Sequence, residues 1–135
     1  MNKQEYERKR TIKEQEKRAA EKRRSALITE RNKLKDAYQK LAQQKREFGR
    51  YKDQVNRDIA NYPFWQGQRR NEFNRMVDLL VEDNNKLFQQ IDRILDDMNW
   101  EINTYNKQIH DQETLISSLG NQIRSLRTFI ENKFN

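Results

Sequence analysis

The 135-residue chain has no cysteine, one proline, three glycines and one histidine. Without cysteine there is no disulfide framework, no thiolate nucleophile and no Cys-based metal site. A strand-rich or loop-rich fold needs turn residues at regular intervals, and so few Gly and Pro do not supply them. Apolar residues make up 33% of the chain, against roughly 45–50% in ordinary globular domains, so one compact core is short of material. No apolar run exceeds three residues, as in Leu79-Leu80-Val81, far below the ~20 residues of a membrane span. Met1-Asn2-Lys3-Gln4-Glu5 runs into charges with no apolar stretch behind it, so no ordinary signal peptide is expected. The expected location is cytoplasmic, or co-secreted by a route that reads another signal.

What the chain does contain is charge and amides. There are 28 Lys/Arg and 21 Asp/Glu, a net charge of +7, with 14 Asn and 13 Gln besides. With so few helix breakers, that composition predicts long helices in search of partners. Residues 1–26 hold 10 of the basic and 5 of the acidic side chains, and after Met1 their apolar residues are only Tyr6, Ile12, Ala19, Ala20 and Ala26. They read as a basic N-terminal extension, a solvated helix supported by pairs such as Glu5/Lys9 and Glu14/Arg18 and fraying at its start.

From Leu27 a period of seven begins: Leu27, Leu34, Leu41, Phe48, Val55 and Tyr62. A strict seven-residue period is the seam of one helix packing on another. Pro63 has no amide donor and disfavours α geometry at Tyr62, and Gly67 suits a reversal, so the turn is expected at 62–67 between helices 27–61 and 68–133. The second helix carries the stronger pattern. Phe73, Val77, Leu80, Asn84, Leu87, Ile91, Ile94 and Met98 step by threes and fours, and the series continues to Ile130. Two steps of four between Ile94 and Ile102 predict a stutter that locally relaxes the supercoil.

The predicted fold is all-α: a long antiparallel helical hairpin, coiled-coil-like, with a Trp-x-Gly turn and helices of about 90 Å. With the tip near residue 64 or 65, residue i faces residue j where i plus j is roughly 128, a consequence of antiparallel pairing. Val55 then lies near Phe73, Phe48 near Leu80 and Leu34 near Ile94. The apolar positions Ile102, Tyr105, Ile109, Ile116, Leu119, Ile123 and Leu126 would face the basic N-terminal helix and be poorly covered. They are the expected partner interface, toward another helical protein or, when the chain is alone, toward a second copy in a homo-oligomer.

A catalytic reading needs a nucleophile, an acid/base pair or a metal held in a concave pocket, and a two-helix hairpin offers none. His110 is the single histidine, and Asp111 and Glu113 diverge from it around the helix. Asp96, Asp97 and Glu101 read as a solvated face. No metal or cofactor is expected, and the chain reads as non-enzymatic. The net charge admits non-specific phosphate binding by counterion release, but the N-terminal Lys and Arg are interleaved with Glu.

The turn is the most specific feature. Trp65-Gln66-Gly67, preceded by Phe64 and followed by Phe73, places Trp-x-Gly at the single turn of a two-helix chain. There Trp65 would cap the seam, its indole N–H seeking a partner. This arrangement resembles the WXG-motif proteins of Gram-positive type VII secretion. The length and the amide-rich second helix are more similar to their YwqH-like relatives, small α-helical proteins encoded beside LXG-domain toxins. The resemblance covers residues 27–130. It implies a targeting or chaperone-like partner that binds the N-terminal helical LXG-type domain of a toxin, with a second small α-helical protein, and delivers it for secretion. Both helices here are longer than is usual in the family. Its aromatic-x-x-x-acidic export signal, normally near the C-terminal end of helix two, is matched only by Phe88 and Asp92 in mid-helix. Gln68, Arg69 and Arg70 open helix two, where the helix dipole favours acids, and they read either as a contact surface or as plain exposed arginines at a small cost. The alternative functions are a self-associating structural coiled coil and, below it, a non-specific nucleic-acid-binding protein.

Overall fold

A computed structural model describes residues 1–60 and 68–134, apart from the side-chain surroundings of residues 55, 56, 59, 60, 68–70 and 73. Two helices make up the described secondary structure, α1 (Lys3–Ala60) and α2 (Gln68–Phe134), and they pack against each other as a helical hairpin. The expected turn at 62–67, with Phe64, Trp65 and Gly67, lies outside the described residues.

The start of α1 is capped, not frayed as its composition suggested. Glu5 N–H donates to Asn2 Oδ1 at 3.0 Å and Asn2 N–H donates to Glu5 Oε2 at 3.3 Å. This reciprocal box satisfies donors that a bare helix end leaves open. Residues 1–26 are the first turns of a helix that continues unbroken to Ala60.

The chain divides into two compact units. Unit 1 is Met1–Lys33 with Glu101–Asn135, and unit 2 is Leu34–Trp100.

In unit 1 the N-terminal part of α1 lies along the C-terminal part of α2. Ile102, Ile109, Leu119, Ile123 and Ile130 are buried, and Ala20 is the most buried side chain opposite them at 2% exposure. Tyr105, Ile116 and Leu126 are half-buried. The expectation of a poorly covered seam is therefore corrected. The cover comes from a column that its composition disguised: Arg10, Lys17, Arg24 and Arg31, seven residues apart and each half-buried. Long basic side chains lay their methylene stems on apolar surface and keep their charged heads at the rim. The stem of Lys17 comes within 4.0 Å of the position a side chain at Gly120 would take.

The heads set the register. In unit 1 Arg24 Nε donates to Glu113 Oε1 at 3.0 Å and Arg31 Nη1 to Asn106 Oδ1 at 3.1 Å. In unit 2 Lys45 pairs with Asp92, and Lys52 Nζ donates to Asn85 Oδ1 at 2.9 Å. Each of these pairs sums to 137, nine more than the 128 expected from the turn. Phe48 consequently meets Phe88, ring centroids 5.5 Å apart, in place of Leu80. α2 carries two adjacent apolar columns of period seven, Leu80-Leu87-Ile94 and Val81-Phe88-Leu95, so apolar periodicity leaves the register open. Polar pairs repeating every seven residues select one.

The same shift removes the stutter. Val81, Phe88 and Leu95 face α1, while Leu80, Leu87 and Ile94 are exposed. The inward positions then step by regular fours and threes, 77, 81, 84, 88, 91, 95, 98 and 102.

Candidate functional site

The predicted interface residues of α2 belong to the seam of unit 1, where their own chain covers them. Phe88 and Asp92, the export-motif candidates, are engaged within unit 2. Phe88 packs on Phe48 and lies 5.6 Å beneath Lys52 Nζ, and Asp92 accepts from Lys45. Phe64, Trp65 and Gly67 lie outside the described residues, as do the side-chain surroundings of Gln68, Arg69, Arg70 and Phe73.

What unit 2 leaves open is a second apolar row on α2. Leu87, Ile94, Leu80, Met76 and Leu79 retain 42, 49, 56, 56 and 62% of their surface. Leu80, Leu87 and Ile94 are spaced by seven, one position beside the inward Val81, Phe88 and Leu95. Across the pair, the observed register sets Tyr51 of α1 within one residue of the level of Leu87, and Tyr51 is 70% exposed. A helix apolar at the two seam columns and at a third beside them has the pattern of a bundle member, wider than a two-helix coil consumes. Sequence reasoning put Leu80, Leu87 and Ile94 into the intrachain seam because they share its period. The signal that separates the two rows is that Val81-Phe88-Leu95, and not Leu80-Leu87-Ile94, continues without a break into Ile102 and Ile109.

The row is flanked by charge. Asp83 and Arg93 are exposed on the rim, four residues before and six after Leu87. Neither has an ion-pair partner among the described residues, whereas Lys86 pairs with Glu82 at 3.8 Å.

Other features of the described residues offer less. Three surface hollows are each lined by one helix alone: Gln4 to Gln15 on α1, His110 to Gln122 on α2, and Arg124 to Lys133 on α2. Such hollows are helix surface, not clefts between elements. His110, Asp96, Asp97 and Glu101 are exposed, and no group of three or more His, Cys, Asp or Glu converges as metal ligands do. No described helix is long and apolar enough to cross a membrane. At the chain ends of unit 1, Tyr6 packs on Phe129 and Phe134 at centroid distances of 4.7 and 6.0 Å, with Lys133 over all three rings. That cluster joins the two helix ends and is consumed in doing so.

No known family, curated protein or solved structure matches the chain.

Proposed function

We propose that this chain is a non-enzymatic helical adaptor that receives a helix of another protein on the exposed row of unit 2. The observation that carries this reading is the row itself. Leu80, Leu87 and Ile94 keep apolar surface in water at heptad spacing, and burying such surface against a partner helix is favourable by about 25 cal/mol per Å². The identity of the partner rests on the turn. The likeness of Trp65-Gln66-Gly67 with Phe73 to WXG-motif proteins supports an N-terminal LXG-type toxin domain, bound with a second small α-helical protein and targeted to type VII secretion. In this reading the toxin helix meets the row around Leu87, and the seam at Ile102–Leu126 holds the adaptor together.

The test is affinity purification of the tagged chain from its source cells, with mass spectrometry of what co-elutes. A large multidomain protein and a second small helical protein in defined ratio are expected, and Leu87→Asp should release both. Recovery of the bait alone would replace this reading with a structural coiled coil.

A further inference from the structure

We infer that, when no partner helix is present, a second copy of this chain occupies the same row, its α2 running antiparallel across Leu87. This inference rests on the partner-surface reading of the row and adds its resting occupant.

Charge complementarity selects the second copy. Asp83 and Arg93 are both exposed and have no ion-pair partner among the described residues. They stand ten residues apart, about 15 Å along one helix, so they cannot reach each other. An antiparallel copy centred near Leu87 brings Leu80 of one chain to Ile94 of the other. It also brings Asp83 toward Gln90 and Arg93 of its mate, and the two-fold axis makes every such contact twice. Net charge does not oppose the pairing: residues 34–100 hold 12 Lys/Arg and 11 Asp/Glu.

The area is sufficient. Met76, Leu79, Leu80, Leu87 and Ile94 are each 42–62% exposed. Two copies burying them together remove on the order of 1,000 Å², the lower bound for a specific interface. Such a dimer is a weak, exchangeable one, suited to shielding the row until a better partner displaces the second copy.

The experiment is light scattering after size exclusion and sedimentation velocity on the purified full chain, without toxin. The expected mass is about 33 kDa, twice the 16.6 kDa of one chain. Leu87→Asp should give a monomer with unchanged helicity by circular dichroism, because Leu87 lies outside the intrachain seam. Asp83→Arg and Arg93→Asp should each weaken the dimer several-fold, as expected for a rim ion pair turned repulsive. The double swap should restore it. That rescue can come only from another copy, since the two residues are out of reach within one chain. A monomeric wild-type chain, a dimer indifferent to Leu87→Asp, or a double swap no better than the singles would each overturn the inference. A monomer that nevertheless captures the toxin domain overturns the dimer and leaves the adaptor reading standing. A dimer that never exchanges for toxin does the reverse.

Discussion

Ala20 and the two helical glycines show how tightly single positions constrain this pair of helices. Ala20 is 2% exposed in a seam whose neighbours are long basic stems, so there is no room for a larger side chain. Ala20→Leu should cost about 1–3 kcal/mol through overpacking, seen as a lowered urea midpoint. Gly49 and Gly120 are the opposite case. A Cβ at Gly49 would come no closer than 3.9 Å to Phe88, and one at Gly120 no closer than 4.0 Å to Lys17. Both are ordinary contact distances at helical positions, so the lost backbone freedom of glycine is uncompensated. Gly49→Ala and Gly120→Ala should each stabilise by about 0.5–1 kcal/mol, measured by the same denaturation.

At the scale of the element, α1 and α2 are unequal partners. The seam columns of α2 are apolar except for Asn84 and Gln112, whereas one whole column of α1 is basic with Tyr38 as its exception as far as Lys52. A polar side chain at a seam position specifies register at a cost in stability. Arg31 illustrates it: half-buried, it donates to Asn106 across the seam and to Asn32 beside it. Arg31→Leu should raise stability by about 1 kcal/mol by adding apolar burial between Leu27 and Leu34. That is roughly a 4 °C rise in Tm for a chain of this size. The exposed heads contribute little energy, since rim pairs are worth under about 1 kcal/mol. Their contribution is which residues face which.

For the whole molecule, charge is unevenly divided. The segments of unit 1 carry 16 Lys/Arg against 10 Asp/Glu, and those of unit 2 carry 12 against 11. In unit 1, Glu14, Glu16 and Glu21 are drawn to Arg10, Lys13 and Lys17 at 3.5–3.9 Å. Arg8, Lys9, Arg18, Lys22 and Arg23 stay exposed with no ion-pair partner among the described residues. Self-repulsion among them destabilises the folded pair and is screened by salt. Raising ionic strength from about 10 to 150 mM shortens the Debye length from about 30 to 8 Å, so Tm should rise. A falling Tm would show that the ion pairs outweigh the excess cations.

Residue content and spacing alone establish that the chain is helical and that its helices pair. Scarce Gly and Pro, 33% apolar content and a strict seven-residue period leave no other fold, because each constrains the backbone locally. The pattern reads a basic helical extension over 1–26 and helices over 27–61 and 68–133, and the structure has α1 over Lys3–Ala60 and α2 over Gln68–Phe134. The register emerged only from the packed helices, because α2 offers two adjacent apolar columns of period seven and pairs such as Arg24–Glu113 and Lys45–Asp92 accompany one of them. The register in turn decided the candidate site. It turned Val81, Phe88 and Leu95 inward, buried Ile109 and Ile123 within unit 1, and left Leu80, Leu87 and Ile94 in water.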